Sequence, residues 1–140
     1  MDISLYFEPV QLKGYNYSGQ GDRKKLGDVV RAFTQPGNFP DLDNVDIALL
    51  GVLEDRNAIG NEGCAQGPDY IREELFELFQ GSYRINMVDL GNIKKGYTIN
   101  DTYFALSSVV AELITRDIMP VILGGSQDLT FANYQGYETL

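Results

Sequence analysis

Residues 46–53, Asp-Ile-Ala-Leu-Leu-Gly-Val-Leu, form an almost continuous apolar run. That is the pattern of a strand buried on both faces, where a strand with one wet side would alternate. Shorter runs of the same kind occupy 84–90 and 120–123. Between the first two runs, 67–79 reads as a helix, with Pro68 in its first turn, acids near its positive end and Gly81 as the stop. Its expected buried stripe is Ile71, Leu75, Leu78 and Phe79. Between the second and third runs, 100–117 reads as a helix capped by Asn100 or Asp101, with Leu106, Val109, Val110, Leu113 and Ile114 facing a sheet. Strand, helix, strand, helix, strand with crossovers of this length specifies parallel pairing and an α/β fold.

The remaining segments read less distinctly. Residues 128–137 suggest a further helix, 6–10 a short strand, and 26–33 a short helix with Leu26, Val29, Val30 and Phe33 on one face. Residues 14–21 and 35–44 are rich in Gly, Pro, Asn and Asp and read as loops. The expected organisation is therefore an extension over 1–44, with loops and a short helix, ahead of an α/β unit over 45–140.

Charge and composition remove several function classes. A chain of 140 residues with 44% apolar and 11% aromatic residues builds one ordinary core. Its formal charge of −9 repels phosphate backbones, which excludes nucleic acid and anionic membrane as expected partners. No apolar run approaches the roughly 18 residues of a membrane span, and the start Met1-Asp2 lacks the basic flank of a signal peptide. The single cysteine, Cys64, forms no internal disulfide and fits a reducing compartment, so the cytoplasm is expected. The chain has no histidine, which removes a Ser/His/Asp triad and a histidine-based metal site from within it. One cysteine is likewise too few for a Cys-rich zinc site.

The apolar run 119–123 breaks into Gly124-Gly125, followed by Ser126, Gln127 and Asp128. A buried strand that ends in glycines and polar side chains presents chemistry at the carboxyl edge of a sheet. Several readings of this edge stand side by side. The glycine pair can cradle a phosphate at a helix N-terminus, although the third glycine and the lysine of phosphate-binding loops are absent. Gln127 reads as a helix-start residue and Asp128 as a first-turn acid favoured by the helix dipole. Glu54, Arg56 and Asn57 follow the first strand at the same edge and are candidates for a substrate mouth, beside the plainer reading of a charged, solvated loop. Cys64 reads as a small loop residue, and Arg72 as the partner of a helix or loop carboxylate.

Two motifs carry a family resemblance. Gly60-Asn61-Glu62-Gly63-Cys64-Ala65-Gln66-Gly67-Pro68-Asp69-Tyr70-Ile71-Arg72 resembles the loop-to-helix signature of the ureohydrolases (arginase, agmatinase, formimidoylglutamase). Residues 120–130 resemble their first metal motif, a strand followed by Gly-Gly-x-His-[Asp or Ser]. The order of the motifs agrees, and the resemblance covers roughly 45–140. It implies a three-layer, mainly parallel arginase-like sheet, of which only the first half is present. It also implies two manganese ions at the carboxyl edge, activating a hydroxide that attacks a guanidinium or formimino carbon.

The resemblance sets the family's first metal-binding histidine at Gln127. The other ligands belong to an Asp-x-His-x-Asp motif and an Asp-x-Asp motif beyond Leu140. A neutral amide is a weaker donor to manganese than imidazole, so a complete binuclear site is not expected in this chain. Three functions follow: part of a ureohydrolase-like hydrolase of linear C–N bonds, closest to formimidoylglutamase; a non-catalytic binding or assembly module; or a nucleotide- or small-anion-binding module. A small-molecule substrate is the expected partner if the chain is active. The bare third strand predicts a truncated form of a protein about twice as long, or self-association through the open edge.

Overall fold

Strand β3 (Ile47–Val52) lies in the middle of the sheet because it has no polar side chain to offer water, and from Ala48 onward every residue is buried. The computed structural model describes residues 1–12 and 24–138, so the loop expected at 14–21 lies outside the described residues. Strands β4 (Met87–Ile93) and β5 (Met119–Leu123) flank β3 in parallel. Two short strands share the far edge of β4: β1 (Phe7–Glu8) runs antiparallel to it and β2 (Arg31–Ala32) parallel. The sheet is thus mainly parallel, with β5 as an edge that pairs on one side only among the described residues. Met119 on that edge is exposed.

Helix α3 (Ile99–Thr115) turns Leu106, Val109, Val110 and Leu113 onto Ala48, Leu50, Val52, Val88 and Leu90, forming the main core. Ile114 is only partly buried against it. The cap is Thr98, not Asn100 or Asp101: Asp101 N donates to Thr98 Oγ1 at 3.2 Å, and Thr98 N donates to Asp101 Oδ2 at 2.7 Å. This reciprocal capping box uses Asp101 from inside the helix. Helix α4 (Leu129–Glu138) adds Leu129 and Ala132 to the same core. Gly136 lets it approach α3, since a Cβ there would lie 2.6 Å from Val110.

Helix α2 (Gly67–Glu77) covers the opposite face of the sheet and completes three layers. Its buried row is Pro68, Arg72 and Phe76, whereas Ile71, Leu78 and Phe79 of the expected stripe are exposed. The cause is in the sheet beneath. Leu49 pairs with Asp89 but Gly51 pairs with Asn92, so β4 carries one extra residue, and Gly91 takes φ +85° within it. The bulge breaks the two-residue alternation and brings Asp89 and Asn92 to one face. Arg72 spans both. Its Nε reaches Asp89 Oδ2 at 2.7 Å and its Nη2 reaches Asp89 Oδ1 at 3.0 Å, while Nη1 reaches Asn92 Oδ1 at 2.7 Å. Nη2 also donates to the Gly91 carbonyl at 2.9 Å. Arg72 therefore has the helix carboxylate expected of it, Asp69 Oδ1 at 3.6 Å from Nη1, and a closer strand carboxylate, Asp89, that was not expected. Gly51 leaves the room, since a Cβ there would meet Asn92 Oδ1 at 2.0 Å.

The segment 26–33 also differs from expectation. It forms a single turn, α1 (Leu26–Val29), and then enters β2. Consecutive β-branched residues Val29 and Val30 extend the helix poorly, and pairing with β4 offers a better outlet: Phe33 N donates to Asp89 O at 2.8 Å and the Phe33 ring is buried. The strand expected at 84–90 begins later and continues through the bulge to Ile93. No helix among the described residues is long and apolar enough to cross a membrane.

Replacing Arg72 by Ala leaves the Asp89 carboxylate buried without its partner. The expected loss is about 3–5 kcal/mol of unfolding free energy, measured by urea denaturation. A loss below about 1 kcal/mol would show that Arg72 and Asp89 do not form the joint between α2 and the sheet.

Candidate active-site edge

The carboxyl ends of β3 and β5 are locked together through Glu54. Ser126 N donates to the Glu54 carbonyl at 2.8 Å. A Cβ on Gly125 would fall 2.1 Å from that oxygen, so this close approach requires glycine at 125. The loop leaving β5 therefore lies directly on the loop leaving β3. Gly124 O sits beside the start of α2, 3.4 Å from where a Gly67 Cβ would be.

The Glu54 side chain turns inward and is fully buried. A solvated loop does not describe it. Arg56 Nε donates to both carboxylate oxygens, at 2.9 and 3.1 Å, and Nη2 reaches Oε2 at 2.5 Å. Thr102 Oγ1 donates to Oε2 at 3.3 Å, and Lys95 Nζ lies 3.9 Å from Oε1. Burial would push the Glu54 carboxyl up, but the hydrogen bonds and charge of Arg56 outweigh it and hold the carboxyl at about 2. The same pairing raises the Arg56 guanidinium. Because the folded value lies below the ordinary 4.5, the pair's contribution to stability is complete above about pH 4.5. It fades as the pH falls toward 2.

A second chain of polar groups runs along the same edge. Asn57 Nδ2 donates to the Tyr103 hydroxyl at 3.2 Å, and Tyr103 donates in turn to Asp128 Oδ2. Burial raises the Tyr103 hydroxyl, reinforced by its carboxylate partner. Burial pushes the Asp128 carboxyl up as well, yet the neighbouring Ser126 and Tyr103 hydroxyls more than compensate and leave it below its ordinary value. Ser126 Oγ and Asp128 Oδ1 are buried without an aligned hydrogen-bond partner among the described residues, as is Asn133 Oδ1. Gln127 is exposed, and its backbone carbonyl accepts from Thr130 N at 3.1 Å as α4 begins.

The structure thus joins Glu54 to Arg56 and Asn57 to Asp128, with Gly124, Gly125 and Ser126 between the two groups, and leaves Gln127 outside both. Three side chains of this edge were not anticipated from the sequence: Lys95, Thr102 and Tyr103. The Thr98-x-x-Asp101 capping box is the signal that locates Thr102 and Tyr103, since it fixes the start of α3 and places both in its opening turns. The geometry disfavours an anion at the glycine pair. The Ser126 N–H that would face it is already bonded to Glu54, and the Asp128 carboxylate lies beside it.

With this edge defined, comparison with known proteins assigns the family. The sequence model of the Arginase family matches residues 45–139, and the chain belongs to that family. Among curated relatives, the formimidoylglutamase of Photorhabdus laumondii is 27% identical over 128 residues, which is 86% of this chain and 40% of that protein. That of Halobacterium salinarum is 30% identical over 115 residues, 79% of this chain and 37% of that protein. Among solved structures, the formimidoylglutamase of Bacillus subtilis superposes with a TM-score of 0.73 at 20% identity, over 93% of this chain and 42% of that one. A Trypanosoma cruzi formiminoglutamase solved with Mn2+ gives 0.68 at 21% identity, over 83% of this chain and 41% of that one. These likenesses establish an arginase fold, and the chain spans about 40% of the length of such relatives.

The residues present do not fit a pair of manganese ions. Among the described residues no three Asp, Glu, Cys or His side chains converge as a ligand set. Glu54 is committed to Arg56 and Asp128 Oδ2 to Tyr103, which leaves Asp128 Oδ1, beside the Ser126 hydroxyl, as the remaining oxygen of these two carboxylates. A lone carboxylate oxygen beside an exposed neutral amide is too poor a donor set for two divalent ions.

Replacing Gly125 by Ala forces Cβ against the Glu54 backbone and should cost about 1–3 kcal/mol, read by thermal or urea unfolding. A neutral G125A would mean that the β3 and β5 loops do not meet as described.

Proposed function

We propose that this chain supplies the amino-terminal part of a formimidoylglutamase-like ureohydrolase, a hydrolase of linear amidine or guanidino C–N bonds, and that by itself it catalyses no such reaction. The observation that carries the reading is the Gly124–Asp128 loop seated on Glu54 at the carboxyl edge of the sheet, with no metal-ligand set among the described residues. The arginase fold together with the lack of a ligand cluster among the described residues supports this reading. Residues 45–140 would form the first part of the catalytic domain, and 1–44 an extension whose strands β1 and β2 finish the edge beside β4. Manganese and the small-molecule substrate would then be held mainly by residues beyond this chain. The open edge of β5 would pair with that further polypeptide or with a second copy. The lone Cys64 suits a reducing compartment, the cytoplasm.

The test combines metal analysis with an assay for glutamate released from formimidoylglutamate, applied to the purified chain and to its Gln127→His variant. The expected outcome for the unmodified chain is manganese far below stoichiometric and no glutamate release. Stoichiometric manganese together with turnover would overturn the reading.

A further inference from the structure

A groove of about 520 Å³ opens between α2 and β1, on the face of the sheet opposite α3. Spacings of three and four residues put Gln66, Asp69, Tyr70 and Glu73 along one wall, on one side of α2 and its N-cap. Glu8 of β1 forms the other wall and Asn92 of β4 the floor. Glu8 and Asn92 stand opposite one another in the antiparallel pairing of β1 with β4. Their side chains therefore leave the same face, about 5 Å apart at Cβ.

Asn92 is only 6% exposed, and its amide has a single orientation. Arg72 carries donors alone, so the amide oxygen must face Arg72 Nη1, 2.7 Å away. That oxygen lies toward β3, where a Cβ on Gly51 would meet it at 2.0 Å. The Nδ2 group is left on the β1 side, lining the groove, and it donates to no group among the described residues. A nearly buried amide donor is costly unless something in the groove supplies an acceptor. Three carboxylates stand around it. Glu8 and Glu73 are paired with no cation among the described residues, and Asp69 lies 3.6 Å from an Arg72 whose charge Asp89 already matches at 2.7 Å. The Tyr70 ring, 64% exposed, adds a π face for a cation. These acids are too dispersed to make a metal-ligand set among the described residues, and such spread charge suits an extended organic cation.

We propose that this groove binds an organic ammonium that carries a neighbouring carbonyl oxygen and no carboxylate, the chemistry shared by amino-acid amides and peptide amino termini. The ammonium is held by Glu8, Asp69 and Glu73 over the Tyr70 face, and the carbonyl oxygen accepts from Asn92 Nδ2. A free amino acid, or a glutamate derivative such as formimidoylglutamate, sets its own carboxylates against the three acids and is repelled. The groove is thus a separate place from the edge around Glu54, and the inference stands or falls independently of the proposed function.

The experiment is an NMR titration of the full nitrogen-15-labelled chain with L-lysinamide, read on the Asn92 side-chain amide at about pH 6.5, where the amines are charged. Cadaverine, which lacks the carbonyl, and free lysine, which has the carboxylate, are the comparisons. The expected result is a saturable shift of the Asn92 amide. Lysinamide should bind about five-fold more tightly than cadaverine, as one net hydrogen bond implies, and more tightly than lysine. Glu73→Gln, at an exposed and unpaired position, should weaken lysinamide about two-fold or more with the melting temperature unchanged. Asn92→Asp still accepts from Arg72 but donates nothing into the groove, so it should remove the preference for lysinamide over cadaverine. Lysyl-glycinamide separates the two sources: tighter binding than lysinamide assigns a peptide amino terminus, and weaker binding assigns the free amide. Absence of a saturable Asn92 shift would overturn the proposal, as would equal binding of lysinamide, lysine and cadaverine, or an affinity unchanged in E73Q.

Discussion

A single buried acid, Glu54, governs the carboxyl edge of this fold. Its carbonyl takes the N–H of Ser126, and its carboxylate takes Arg56 and Thr102. One residue therefore connects the ends of β3 and β5 to the start of α3. An ionised carboxylate is tolerated out of water only when its lone pairs are filled by donors and its charge is matched. That requirement dictates the neighbours. Thr102 must donate and the arginine two residues away must fold back; separately, the close approach to the Glu54 carbonyl keeps residue 125 a glycine.

The opposite face of the sheet solves the same problem differently. Arg72 lies between α2 and β4, and the bulge at Gly91 supplies it with Asp89, Asn92 and a carbonyl on one side of the strand. A regular strand would have turned one of those groups into the α3 core. The two arginines thus have contrasting settings: Arg72 is wholly buried and joins layers, whereas Arg56 reaches solvent at the mouth of the sheet.

The backbone plan was legible because continuous apolar runs and 3.6-residue stripes state their own geometry. Residues 46–53, 100–117 and 128–137 lie close to β3, α3 and α4 for that reason. The errors arose where a polar group is buried or a glycine is mechanical. On α2 the apolar stripe suggested one inward face, yet Arg72 and Phe76 define another, because Asp89 and Asn92 make burial of an arginine favourable and no local pattern announces them. Gly51 and Gly91 carried the missing signal: a glycine inside a strand marks a bulge or a close approach. Glu54 was placed at the right edge, but its inward orientation depends on Arg56 and on Thr102, which is distant in sequence. Membership of the Arginase family was readable from Gly60–Arg72 and Gly124–Asp128, and both motifs lie within residues 45–139 that the family model matches.

The central claim is that the edge is organised by an ionised, arginine-bound Glu54. Its most direct test is a carbon-13 NMR titration of the Glu54 side-chain carboxyl in the folded chain. A carboxyl that titrates at about 2, far below the ordinary 4.5, agrees with the buried pair. A titration at or above the ordinary value would mean that burial prevails over Arg56 and that the edge is not built on this ion pair.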